Sequence, residues 1–231
     1  MPLVSVVVPV HNGERFLHDA LAAIGQQTHS ELELILVDDG SDDGSVAVAT
    51  DCLAWFPHGE LVERRSAAGV ATARNMGMAR ASGSLLAFCD QDDVWLPSKL
   101  EQQLAYLEEH PEVAVVMVRQ EPFLDGIDAM PSWLLPDRVY GDLGGVLPCT
   151  ALIRREAFAT VGEFDPAKSG SDDFDWLLRA RRAGLGIAVH PEVLVRRRLH
   201  ATNSSHDAGR LRHELFLNLR DLTRDDTATL D

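Results

Sequence analysis

Leu3-Val4-Ser5-Val6-Val7-Val8-Pro9-Val10-His11-Asn12-Gly13 decides how the rest of this chain is read. Residues 3–8 form a near-continuous, β-branched apolar run, the pattern of a strand covered on both faces. His11-Asn12-Gly13 breaks it. Phe16, Leu17, Ala20, Leu21 and Ile24 then recur at helical spacing. The same alternation repeats downstream. A second buried strand over 32–37 ends at Asp38-Asp39-Gly40-Ser41-Asp42, where Ser41 or Asp42 is placed to cap the next helix. Leu61-Val62 reads as a short third strand and 71–81 as a helix. Residues 85–89 read as a fourth strand ending at Asp90. Pro97 or Ser98 opens a helix through Tyr106 and Leu107, and 113–118 is a further strand.

Strands alternating with helices in this way predict an α/β fold with a mostly parallel, doubly wound sheet. Ligands of such sheets sit beyond the carboxyl ends of the strands. Three polar clusters fall at those ends: His11-Asn12, Asp38-Asp39 and Asp90-Gln91-Asp92-Asp93. Independent elements are thus expected to deliver carboxylates to one edge.

Beyond residue 120 the periodicity weakens. Residues 120–145 are rich in Pro, Gly and Asp and read as a loop shaping an acceptor site. A strand over 148–154, a helix over 173–183 and a strand over 193–199 follow. Leu211, Leu215, Phe216, Leu219 and Leu222 suit a terminal amphipathic helix. The expectation is one domain over 1–231. Residues 1–118 would form a nucleotide-binding half, 119–206 an acceptor-side half, and 207–231 a terminal helix and tail.

Composition narrows the functional classes. The chain has 231 residues, 45% hydrophobic and 25% charged, and a formal net charge of −15. That balance argues against non-specific nucleic-acid binding, which needs a basic surface. It leaves phosphate ligands open, because a bound cation reverses the local field. Cys52, Cys89 and Cys149 are far apart without metal-ligand spacing, which fits a reducing, cytoplasmic setting. No signal peptide is legible, and no apolar run reaches the roughly 18 residues of a membrane span. Membrane contact is expected to be peripheral at most.

Four acidic or basic spots carry chemistry, and each has a plain alternative. Asp38-Asp39 suits a turn with a helix cap, or hydrogen bonding to a base or ribose. Asp90-Gln91-Asp92-Asp93 packs three carboxylates into four residues; either it is a solvated acidic loop, or a divalent cation compensates the repulsion. Oxygen ligands of this kind favour Mg²⁺ or Mn²⁺. Asp172-Asp173-Phe174-Asp175 suits a helix N-terminus, or supplies a general base. His200 follows Arg196-Arg197-Arg198; it is a structural histidine or a ligand, and the arginines are a solvated strand face or meet phosphate.

Taken together, these segments resemble family 2 glycosyltransferases. Ser5 to Gly13 is similar to that family's opening strand, and Val37-Asp38-Asp39-Gly40-Ser41 to its second-strand signature. Ala73-Arg74-Asn75-Met76-Gly77 resembles the Ala-Arg-Asn-x-Gly helix. Asp90-Gln91-Asp92-Asp93 resembles the Asp-x-Asp region, and Asp172-Asp173 sits where the family has an acidic pair. Order and spacing match over about residues 3–204. The resemblance implies the GT-A fold, a nucleotide-diphosphate sugar donor (UDP-sugar first, dTDP- or GDP-sugar next), a hydroxyl acceptor and inversion by single displacement. It implies Pro9, His11, Asp38, Asp39 and Arg74 around the base and ribose, with Asp90 and Gln91 on the donor. Asp92 would be the principal metal ligand for Mn²⁺ or Mg²⁺, and His200 would complete the site. Asp173 would be the catalytic base, although Asp172 replaces the family's commoner Glu and competes for that role. The segment 90–97 is similar to segments of bacterial enzymes that build surface polysaccharides.

Three other functions fit the sequence less well. A sugar nucleotidyltransferase needs a Gly-rich, basic loop after the first strand, whereas residues 11–15 carry one glycine. A non-catalytic nucleotide-sugar-binding protein on the same fold is disfavoured by the presence of Asp39, Asp92 and Asp173 together. A dehydrogenase is disfavoured because no Gly-x-Gly-x-x-Gly follows the first strand.

Overall fold

The computed structural model describes residues 1–129, 148–168 and 170–203. The described elements run β1 (Val4–Val10), α1 (Leu17–Gly25), β2 (Leu32–Asp38), α2 (Ser45–Leu53), β3 (Gly59–Glu63) and α3 (Val70–Arg80). They continue with β4 (Leu85–Phe88), β5 (Val94–Trp95), α4 (Lys99–Glu109) and β6 (Val113–Leu124). A 3₁₀ turn (Pro148–Thr150) leads into β7 (Ala151–Arg154), α5 (Arg155–Val161), α6 (Asp172–Arg182) and β8 (Gly186–Leu199).

Among the described residues the strands form one sheet in the order β3-β2-β1-β4-β7-β6-β8-β5. β1 pairs in parallel with β2 and β4, and β2 with β3. β7 enters antiparallel between β4 and β6, and β6 pairs in parallel with β8. The sheet is therefore mixed: the first four strands in chain order form an all-parallel block, which carries the expected ligand edge.

Both faces of that parallel part are covered, as the apolar run of β1 requires. Val4, Val6, Val8 and Val10 point into one core with Leu17, Leu21 and Ile24 of α1, Cys52 of α2 and Leu100 and Leu107 of α4. Val7, Ile35 and Val37 point into the other, with Ala73 of α3, Ala157 of α5 and Trp176 of α6. Pro9 sits in β1 without breaking the sheet. Its last pairing with β4 is Val7 opposite Phe88, so the missing N–H of Pro9 falls where β4 has already ended.

The structure corrects several expectations. The cap of α2 is neither Ser41 nor Asp42: the helix starts at Ser45, whose N–H donates to Asp43 Oδ1. Ser41 and Asp42 instead hold Asn12, through Asn12 N to Ser41 Oγ and Asp42 N to Asn12 Oδ1. The segment 120–124, read as loop, extends β6 to Leu124, because β8 runs beside it in parallel as far as Leu199. Residues 148–150 are a 3₁₀ turn rather than strand. The two-residue β5 and the helix α5 were not foreseen. Residues 130–145 of the expected loop and the expected terminal helix lie outside the described residues. No described helix is long and apolar enough to cross a membrane.

Candidate active site

The ends of β1, β2 and β4 deliver His11, Asp39 and Asp90 to one edge, and each has a distinct local reason to be there. The Asp38 carboxylate closes the turn after β2, its Oδ2 accepting the N–H groups of Gly40 and Ser41. Its Oδ1 is buried with no hydrogen-bond partner among the described residues. Asp39 is 4% exposed and accepts from the backbone N–H groups of Ala68 and Gly69, with Arg64 Nε at 3.2 Å. It therefore fixes the loop that leads into α3. His11 Nδ1 lies 3.0 Å from the carbonyl oxygen of Asp39, which ties the β1 and β2 ends together.

The acidic segment after β4 splits in three directions. Gln91 turns to the backbone of His11: its Oε1 accepts from His11 N at 2.9 Å and its Nε2 donates to His11 O at 3.0 Å. Asp90 accepts from Arg74, whose other guanidinium nitrogen donates to Asp172 at 2.8 Å. Arg74 is 5% exposed. Burial opposes its charge, but Asp172 and then Asp90 outweigh that and hold it protonated. It joins the acidic segment to the start of α6.

Asp92 meets His200. The distance from Asp92 Oδ2 to His200 Nε2 is 3.0 Å across 108 positions of sequence. The two-residue β5 makes the meeting possible: Val94 and Trp95 pair antiparallel with Arg196 and Val195, so the residues before β5 lie beside the end of β8. Arg198 locks this junction. Its N–H donates to Asp93 Oδ1, its Nε to Asp92 O, and its remaining nitrogens pair with Asp19 and Asp125. Phe16 lies under the His200 ring at 4.2 Å between centroids. The Thr202 N–H donates to His200 Nδ1 at 3.3 Å and Thr202 Oγ1 lies 2.9 Å from the same nitrogen, so Nδ1 is the acceptor and Nε2–H donates to Asp92 Oδ2.

Two donor sets lie on this edge with the chemistry to hold a divalent cation. Asp92 and His200 converge from different elements, and the Asp92 side chain keeps 20% exposure. A carboxylate with an imidazole suits Mn²⁺ and leaves positions for phosphate oxygens. Asn203 Nδ2 donates to the same carboxylate oxygen, a hydrogen bond that a cation would replace. Asp90, Asp93 and Cys149 also bring ligand atoms within 4.8 Å of one another. There, however, Asp93 and Cys149 are sealed at 3% and 0% exposure. Burial, then Asp92, pushes the Asp93 carboxyl well up; burial, then Asp93, does the same to the Cys149 thiol. Sealed from solvent in this way, the group fits buried packing better than an ion open to phosphate oxygens.

Asp172 and Asp173 open α6, where acidic side chains complement the helix dipole. Asp172 is 1% exposed and spent on Arg74. Asp173 is half-buried and borders a cavity of about 30 Å³ lined by Met117, Pro148, Phe164 and Trp176. Burial, then the neighbouring Asp172, pushes its carboxyl up to about 7, with Arg74 acting in the opposite direction.

The sequence reading missed Arg198, Arg64, Phe16 and Asn203. Of these only Arg198 left a signal, as part of a basic run; it is buried, while Arg196 stays half-exposed beside Glu121.

The profile of glycosyl transferase family 2 matches residues 5–162. The chain belongs to glycosyl transferase family 2. Among its relatives, an uncharacterised glycosyltransferase of Rickettsia prowazekii is 27% identical over 224 residues, 90% of this chain and 67% of that protein. TuaG of Bacillus subtilis, whose name marks it as a candidate teichuronic acid biosynthesis glycosyltransferase, is 36% identical over 108 residues, 47% of this chain and 43% of its own. The family 2 chain adopts the GT-A fold seen in Staphylococcus aureus TarS in complex with UDP-GlcNAc. That match has TM-score 0.75 and 20% identity, over 94% of this chain and 65% of that one. The Pyrobaculum calidifontis mannosyltransferase PcManGT, in complex with GDP-Man and Mn²⁺, matches with TM-score 0.77 and 21% identity, over 96% of this chain and 64% of that one. At such identity the two structures establish the fold alone. The chain thus spans just under two thirds of these solved structures and less than half of TuaG.

Proposed function

We propose that this family 2 glycosyltransferase inverts the anomeric carbon of a nucleotide-diphosphate sugar while transferring the sugar to an acceptor hydroxyl. The approach of Asp92 to His200, on the edge where β1, β2 and β4 end, carries the reading. Pro9, His11, Asp38 and Asp39 frame the nucleoside at the β1 and β2 ends, with Asp90 and Arg74 nearer the sugar. Asp92 and His200 would hold a divalent cation, with Mn²⁺ favoured over Mg²⁺ by the imidazole. When bound, the cation supplies Lewis-acid stabilisation to the diphosphate leaving group. UDP- and GDP-sugars are the first donors to try, because structurally similar proteins are known with UDP-GlcNAc and GDP-Man.

Asp173 is the base. It sits half-buried at the start of α6 with its carboxyl pushed up to about 7, suited to taking a proton from a hydroxyl near neutral pH. Asp172 holds Arg74 and through it Asp90, so the acceptor side and the donor side share one ion-paired unit. A role in bacterial glycan assembly follows the TuaG likeness, and a cytoplasmic setting follows the three free, buried cysteines.

The test is donor hydrolysis and transfer by the purified chain with UDP-, dTDP- and GDP-sugars, with and without Mn²⁺. Asp92→Asn should lower the rate on the order of 10³-fold. Asp173→Asn should abolish transfer while nucleotide binding stays near wild type. Wild-type turnover by Asp173→Asn removes the base assignment, and full activity in excess chelator removes the cation.

A further inference from the structure

The loop after β1 is unusual in how its backbone is satisfied. Residues 11–13 make few of their hydrogen bonds to main chain. Asn12 N donates to Ser41 Oγ and Gly13 N to Ser45 Oγ. His11 is held on both its N–H and its C=O by one side chain, Gln91, in the manner of a neighbouring strand. Asn12 adopts a left-handed φ of 51°, so the loop is strained and relies on these side chains for its shape.

Gly13 confirms how closely Gln91 is fitted. A Cβ at Gly13 would lie 2.3 Å from Gln91 Oε1 and 2.6 Å from its Cδ. Gly13 is not among the positive-φ glycines, so alanine is compatible with the backbone there. What an added methyl displaces is the free end of the Gln91 side chain, not the fold.

We propose that Gln91 is a positioning residue that couples the loop after β1 to the acidic segment after β4, so that nucleotide binding and cation binding are thermodynamically linked through its amide. The inference rests on the proposed function for what binds at the two loops. Its substance is the link: Gln91 is flanked by Asp90 and Asp92, while its side chain is committed to His11. Settling either loop therefore settles the other. By reciprocity, a cation that tightens nucleotide binding must itself be bound more tightly in the presence of nucleotide.

Calorimetric titration of UDP and of GDP, each with and without Mn²⁺, measures that link as the factor by which Mn²⁺ raises affinity. Wild type, Gln91→Ala, Gly13→Ala and the double variant are compared, with thermal melting to show that each is folded. Gln91→Ala should reduce the enhancement by roughly tenfold. Gly13→Ala should do the same, and the double variant should be no worse than either, because both remove one contact. Amide hydrogen exchange at His11, measured without ligand, should accelerate in both single variants. Unchanged enhancement in Gln91→Ala overturns the proposal, as do additive losses in the double variant. If Gln91→Ala does not fold, normal enhancement in Gly13→Ala overturns it instead. A wild-type chain that binds none of UDP, GDP and dTDP, titrated in the same way, fails the proposed function, and the inference falls with it. Nucleotide binding that keeps full Mn²⁺ enhancement in the variants fails the inference alone.

Discussion

Asp173 carries two expectations that separate its chemistry from its packing. Its carboxyl is raised from the ordinary value of 3.8 to about 7, so the folded state disfavours its charge. The resulting penalty is absent below the unfolded value, grows between roughly pH 4 and 7, and is complete above 7. Asp173→Asn should therefore be more stable than wild type at pH 8, with the gap closing as the pH falls toward 4; melting curves across that range check it. As a base, Asp173 should make kcat/KM rise with pH and level off above about 7. Asp172→Asn removes a like charge and frees Arg74, so the same limb should move to lower pH in a pH–rate profile. An unmoved limb would point to a different base. The resemblance names Asp173 as the base and leaves Asp172 competing for that role; the sequence could not show that Asp172 is ion-paired to Arg74, and that contact favours the same choice.

At the scale of elements, α3 lies directly on β1. A Cβ on Gly77 would come within 2.3 Å of Val7 Cγ1, so Gly77→Ala forces helix and sheet apart. It should lower stability by about 1–3 kcal/mol, measured by denaturant titration. The glycine of the Ala-Arg-Asn-x-Gly segment was visible in the sequence, but its reason is this contact. β5 teaches the opposite lesson. The two residues Val94 and Trp95 carry no periodicity, yet they bring Asp92 to His200. Trp95 is 2% exposed, with Lys99 Nζ 3.9 Å from its ring centre. Trp95→Ala should cost about 3–5 kcal/mol. Its midpoint for Mn²⁺ activation should also rise, because the β5–β8 pairing sets the distance between Asp92 and His200. Long strands announce themselves by their own side chains; a strand this short exists only because β8 is already there.

For the molecule as a whole, the formal charge of −15 opposes the approach of a diphosphate, and the proposed function has a cation offset it locally. UDP or GDP alone should therefore raise the melting temperature little, and together with Mn²⁺ clearly, since binding to the folded state alone adds stability by mass action. Thermal shift in matched buffers checks this; equal shifts with and without Mn²⁺ would count against it. The parallel half of the sheet and its ligand edge were readable because β1, β2 and β4 are apolar runs that each end in polar residues. The mixed half was not, since the order β7-β6-β8-β5 depends on pairings between distant segments that leave no local period. The joining of Asp92 to His200 belongs to that second half, and it has a consequence in time. During synthesis the stretch from β1 to β4 can assemble its parallel strands from neighbours already made, but Asp92 must wait for a partner translated 108 residues later. The emerging chain thus completes the parallel strands and the polar ends of β1, β2 and β4 long before Asp92 meets His200, and the two halves of this edge are made at different times.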